Sequence, residues 1–469
     1  MRVVGVVLLL LVGLVPGVAA AEPGVVWGPC PELGGPAPGL ECTTIAVPLD
    51  YRHPDGEQLQ LAVSRLPSTN PARRRGVLLT NPGGPGGPGL GLPVTLAALG
   101  LPASVRETYD VIGFDPRGIG YSTPVSCELL EIVDNVPPYA RDAADVVAQA
   151  ARVRDIAGRC AQTPTARLQP YITTANTARD MDRIRVALGE RTLSYYGVSY
   201  GTYLGAVYAT LFPGRTDRVV LDSALGPRGL DITASRRFAL GFQLRFPDFA
   251  AWAAARNDVY GLGATPAEVT AKYFATAARL DQAPVAGVTG AAFRLGVFGS
   301  LYFDARFPLL AEAWRGLDQG GVSTLAYPDL ENILSAQLAV VCNDNDWPES
   351  VRVYQHNVAV DRVRYPMFGA AAANIWTCAF WPTDPIEPPV RVGTHHGGAN
   401  ILVMENLRDP ATPLPGAREL TAALGRHTRL VTVDQGGHGV YLFGANTCAN
   451  DVVTHYLTTG VRPPAGATC

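Results

Sequence analysis

Charge is what this sequence has little of. Only 17% of its 469 residues are charged, and 38 basic against 41 acidic residues leave a formal net charge of −3. That excludes the basic footprint of a chain whose main partner is nucleic acid. Lys272 is the single lysine, a bias that reads as gene composition and carries no mechanistic weight. No CxxC pair occurs, which removes zinc ribbons and thioredoxin-like redox motifs. No internal repeat is visible. Beyond the N-terminus no apolar run reaches the roughly 20 residues of a spanning helix, so no membrane span is expected in the mature protein. The length suits one large domain with a substantial insertion, or two domains.

What is present begins with compartment. Met1-Arg2, an apolar or glycine run to Val15 and the small residues Val18-Ala19-Ala20-Ala21 describe a secretory signal over residues 1–21. Cleavage after Ala20 and after Ala21 fits equally well, and the mature protein is expected outside the cell. Eight cysteines follow: Cys30, Cys42, Cys127, Cys160, Cys342, Cys378, Cys448 and Cys469. In an exported chain an even count reads as disulfides, and eight cysteines allow 105 pairings. The expected set joins nearest neighbours and closes four local loops.

Residues 22–42 are rich in proline and glycine and are read as an irregular N-terminal arm. Thr43–Val47 and Leu59–Leu66 alternate like half-buried strands. Gly76–Thr80 and Tyr109–Phe114 are short apolar runs suited to central parallel strands. Helical periodicity at 139–160 and 175–188, a strand at Leu193–Gly197, a helix at 201–211 and a strand at Arg218–Asp222 continue the alternation. Residues 228–390 lose that rhythm and read as helical. Alternation resumes at Ile401–Met404, with a helix near 414–424, a strand at Arg429–Val433 and a helix near 449–459. The expectation is an α/β fold with a mostly parallel sheet. Its core runs over 43–227 and 391–469, interrupted by a helical cap at 228–390.

Gly197-Val198-Ser199-Tyr200-Gly201 is a G-x-S-x-G between a predicted strand and a predicted helix, the context of a nucleophile elbow. A neutral serine needs a base, and in this fold the partners follow in the order Ser, Asp/Glu, His. Asp409 and His438 each follow a predicted strand in that order, with His396 as the reserve base. The reading is Ser199 nucleophile, His438 base, Asp409 orienter. Asn81-Pro82-Gly83-Gly84-Pro85-Gly86-Gly87-Pro88-Gly89 lacks the G-K-[ST] ending of a phosphate loop, and its prolines remove N–H donors. It is read instead as an oxyanion loop, with the N–H groups of Gly84 and Tyr200 as donors. This chemistry requires no metal and no organic cofactor.

These elements together resemble the prolyl aminopeptidase family of α/β-hydrolases, specifically its secreted tripeptidyl aminopeptidase-like branch. The resemblance rests on NPGGPGGPG, FDPRGIGYS (114–122), YYGVSYGTYLG (195–205), VVLDSALGP (219–227), VVCNDNDWP (340–348), CAFWP (378–382), LRDPATP (407–413), GGHGVY (436–441) and the C-terminal YLTTGVRPPAGATC. It implies an α/β-hydrolase with a cap that admits peptide ends, acting on a peptide or small acyl substrate. It also implies acids that hold the substrate's free amine. Asp344 and Asp346 are the candidates, with Asp304 further off. The sequence departs from the branch at Pro88, where serine is common, and at Trp252–Asp258, which lack a cysteine pair. The alternative is an esterase, lactonase or amidase for small apolar metabolites using the same three residues.

Overall fold

The structure, a computed structural model, describes residues 25–129, 136–321, 330–393 and 400–469. The expected signal segment and His396 lie outside them. Nine strands form one sheet: β1 (Gly28–Pro29), β2 (Glu41–Pro48), β3 (Gln58–Leu66), β4 (Gly76–Asn81), β5 (Tyr109–Phe114), β6 (Leu193–Val198), β7 (Thr216–Asp222), β8 (Ile401–Arg408) and β9 (Thr428–Gly436). Their spatial order is β1-β2-β3-β5-β4-β6-β7-β8-β9. Pairing is antiparallel from β1 to β5 and parallel from β5 to β9. Every residue of β4, β5 and β6 is buried, as central strands covered on both faces must be. This is the α/β-hydrolase fold, with a helical insert between β7 and β8.

Two parts of the chain are more regular than their sequence suggested. Gly28–Pro29 and Glu41–Cys42, read as irregular arm, pair at the sheet edge. The Cys30–Cys42 disulfide, with its Cα atoms 4.8 Å apart, holds the two segments side by side. Short helices at Leu92–Ala98 and Ala103–Thr108 also escape the periodicity reading. Each is under two full turns of apolar pattern and opens at a proline.

The remaining disulfides are Cys127–Cys160, Cys342–Cys378 and Cys448–Cys469, again between neighbours in sequence. Among the described residues no cysteine is free, and no helix is long and apolar enough to cross a membrane.

The insert includes helices Ile232–Ala254, Pro266–Gln282, Gly290–Ser300, Phe307–Asp318, Glu331–Asp344 and Val351–Arg364. Its centre is aromatic: Phe242 stacks on Phe246, Phe298 and Phe368, and Trp314 meets Phe249, Tyr273 and Phe293. Such pairs contribute about 0.5–1.5 kcal/mol each beyond burial, which suits a layer that lacks a sheet. Helix Glu331–Asp344 is fastened to the core at both ends. Asn332 bonds Gly118, Gly120 and Val125, and Asp344 accepts from Thr174.

Candidate active site

Ser199 is the residue between β6 and helix Tyr200–Leu211, with φ 59° and ψ −123°. That left-handed conformation is unusual for a non-glycine residue and marks stored strain. The flanking glycine makes the turn sterically possible. A Cβ on Gly197 would lie 2.5 Å from the Gly201 carbonyl oxygen and 2.6 Å from the Tyr195 ring. Ser199 N–H donates to the carbonyl of Asp222 at the end of β7 (2.9 Å).

The glycine loop leaves β4 and comes up against this turn. A Cβ on Gly83 would sit 2.9 Å from Ser199 Cβ and 3.3 Å from Tyr200 N, so only glycine lets the two backbones meet. Gly83 N–H is taken by the Asn81 side chain (3.0 Å). Among the described residues neither Gly84 N–H nor Tyr200 N–H has an acceptor. The far end of the loop is held by buried Asp115, which accepts from the N–H groups of Gly89 and Leu90 (both 2.9 Å).

Asp409 follows β8. Its Oδ1 accepts from Ala411 and Thr412 N–H (both 2.8 Å), and its Oδ2 lies 2.8 Å from His438 Nδ1. The pair is almost fully buried. Burial pushes Asp409 up, but the imidazole and the backbone N–H groups more than offset it and hold the carboxyl below its ordinary value. Burial likewise opposes a charged His438, yet the charge and hydrogen bond of Asp409, and the charge of Asp222, hold it above 6.5. The ring of Tyr302, from the insert, meets the imidazole edge-on at 5.0 Å. No hydrogen bond joins the Ser199 hydroxyl to the imidazole in this structure. What links the two residues is Asp222, bonded to both of their loops.

The two candidate amine-binding acids part company. Asp344 ends helix Glu331–Asp344 and accepts from Thr174 N–H (2.8 Å) and Thr174 Oγ1 (2.5 Å); that hydroxyl also meets Tyr200 OH (2.5 Å). Burial, reinforced by Glu387, pushes Asp344 up to about 7 against the Thr174 bonds. Asp346 is exposed and has no ion pair or hydrogen bond among the described residues. Asp304 is exposed and paired with Arg245. No group of three or more His, Cys, Asp or Glu among the described residues is arranged to hold a metal. Sequence reasoning assigns no role to Gly83, Asp222, Ser223, Asn406 or Tyr302; for Asp222 and Ser223 the available signal is the segment VVLDSALGP.

A family model described as TAP-like protein matches residues 365–469. The chain is 37% identical to a tripeptidyl aminopeptidase of Streptomyces coelicolor, across 96% of this chain and 86% of that protein. It is 32% identical to the serine protease Hip1 of Mycobacterium tuberculosis (95% and 91%) and 32% identical to a carboxylesterase B of the same species (97% and 92%). Likeness of this extent, on this fold, makes the chain a serine hydrolase of the TAP-like α/β-hydrolase family.

Proposed function

We propose that this protein is a secreted aminopeptidase that releases short peptides, of the tripeptidyl type, from free N-termini. The observation that carries the reading is the buried 2.8 Å contact between His438 Nδ1 and Asp409, set on the sheet edge where the strained Ser199 turn emerges. Ser199 Oγ attacks the scissile carbonyl while His438 Nε2 takes its proton. The C–N bond then breaks as His438 returns that proton to the leaving amine, and water hydrolyses the acyl-enzyme by the same route. Asp409 holds the imidazole in the required tautomer. The unbonded N–H groups of Gly84 and Tyr200 receive the oxyanion, a role in which one donor is worth about 2.7–4 kcal/mol of barrier.

Asp344 serves as the amine anchor in preference to exposed Asp346. An acid left partly protonated near neutral pH by burial ionises when an ammonium group arrives beside it. Secretion is supported by four disulfides and the leader-like residues 1–21. The second reading, an esterase, is favoured by the carboxylesterase relative and the aromatic insert.

The test compares a tripeptide chromophore amide, its N-acetylated form and a short acyl ester. Free peptide is expected to react at least about tenfold faster than blocked peptide, the effect of one buried charged contact. Equal rates on the two peptides, with faster ester cleavage, select the esterase. Ser199→Ala is expected to abolish turnover of all three.

A further inference from the structure

The loop that carries His438 belongs to no helix and pairs only at its start. Its N–H groups must therefore be satisfied from elsewhere, and each goes to a different acceptor. Gly437 N–H goes to Arg408 O (3.3 Å) and His438 N–H to Tyr302 O (2.8 Å). Gly439 N–H goes to Ser223 Oγ, Val440 N–H to Asp222 Oδ1 and Tyr441 N–H to Asp222 Oδ2, all at 2.8 Å. Three of the five acceptors come from the dipeptide Asp222-Ser223. The same Asp222 offers its carbonyl to Ser199 N–H on the other side. Ser223 adopts φ 59°, a strained geometry for serine, and its N–H is anchored on Met404 O (2.9 Å).

We propose that Asp222, assisted by Ser223, is a positioning residue that sets the distance and alignment between Ser199 and His438. It grips the nucleophile turn with its backbone carbonyl and the base-bearing loop with both carboxylate oxygens. This rests on the reading of Ser199 and His438 as nucleophile and base. The groups facing the carboxylate are the Tyr196 hydroxyl from β6 (3.0 Å), the Ser223 hydroxyl beside it (3.2 Å), the N–H groups of the His438 loop, and His438 itself by charge. Burial, then the charges of Asp409 and Asp222, push the carboxyl of Glu405 on β8 well above its ordinary value, against the bond from Ala224 N–H. Burial pushes Asp222 up to about 6 against the bonds from the Tyr441 and Val440 N–H groups, the Tyr196 hydroxyl and the charge of His438, so above that pH it adds a negative charge near the imidazole besides the one that touches it.

An amide at position 222 accepts from only one of the two N–H groups and turns a donor toward the other. It also removes a charge that supports the imidazolium. The experiment uses the full chain, with active sites counted by a fluorophosphonate probe and turnover measured per labelled site on a tripeptide p-nitroanilide. Asp222→Asn is expected to lower kcat per labelled site by about 10- to 100-fold with KM changed less than about threefold, the scale of a misplacement near 1 Å. The acid limb of its kcat/KM profile is expected to move to lower pH. A fold-only role would reduce the number of labelled sites and leave the kcat and pH midpoint of those that remain unchanged. Ser223→Ala, which keeps the charge and loses the Gly439 acceptor together with the long hydroxyl bond to Asp222, is expected to lose about three- to tenfold in kcat, the scale of one lost hydrogen bond, with little movement of the limb. Unchanged turnover per labelled site in both variants overturns the proposal alone. A wild-type protein that the probe does not label at Ser199 overturns the nucleophile reading and the proposal with it.

Discussion

Ser199 follows β6 and His438 follows β9, at the carboxyl ends of parallel strands of one sheet, and the two loops are built by different means. The Ser199 turn is compact. Ser199 alone joins β6 to helix Tyr200–Leu211; a Cβ on Gly197 would strike the Gly201 carbonyl within the turn, and one on Gly201 would strike Asn81 at the end of β4. The His438 loop is held at a distance. Its acceptors come from Arg408, Tyr302 and Asp222-Ser223, and Asn406 Nδ2 reaches the carbonyls of Gly437 (2.9 Å) and Gly439 (3.2 Å). The Ser199 turn is set by one strained residue between a strand and a helix. The His438 loop is held by acceptors and donors from distant parts of the chain.

That contrast forecasts different failures on the two sides. Asp409→Asn is expected to leave the fold in place and drop kcat by about 10⁴, because the amide presents a donor to Nδ1 and stabilises the wrong tautomer; stopped turnover assays on folded variant check it. Gly197→Ala attacks the other loop and is expected to act on stability. A methyl group placed 2.5 Å from the Gly201 carbonyl costs about 1–3 kcal/mol, to be read as a lowered Tm along with fewer probe-labelled sites. The smallest effect concerns pH. His438 acts as a base only when neutral and its pKa is raised, so kcat/KM is expected to fall as pH drops through a midpoint above 6.5. A midpoint at or below 6.5 in the wild type would contradict the field of Asp409 and Asp222 described above.

The same contrast explains what could be read from the sequence. The sheet strands, the insert and the order of Ser199, Asp409 and His438 were legible because each depends on a local pattern: apolar runs, a G-x-S-x-G, a polar residue just past a strand. The nearest-neighbour disulfides are local too. Asp222, Ser223 and Tyr302 were not legible, because their partners lie more than 130 positions away or, for Ser199, across a turn whose geometry the residue types do not reveal. Glycine content announced a close backbone approach in the 81–89 loop but not that Gly83 is the residue in contact with Ser199 Cβ. The resemblance already favours Asp344, two residues after Cys342, over Asp346; the end of the helix adds that the first packs on Thr174 and the second faces solvent.

Helix Glu331–Asp344 rests directly on the glycine loop, where a Cβ on Gly86 would lie 2.2 Å from Ile333 O. The insert and the loop that approaches the Ser199 turn are therefore one mechanical unit. A displacement of that helix would carry the loop backbone with it. The surface this helix turns toward the Ser199 turn is thus more easily reshaped by exchanging side chains on an unmoved helix than by relocating it.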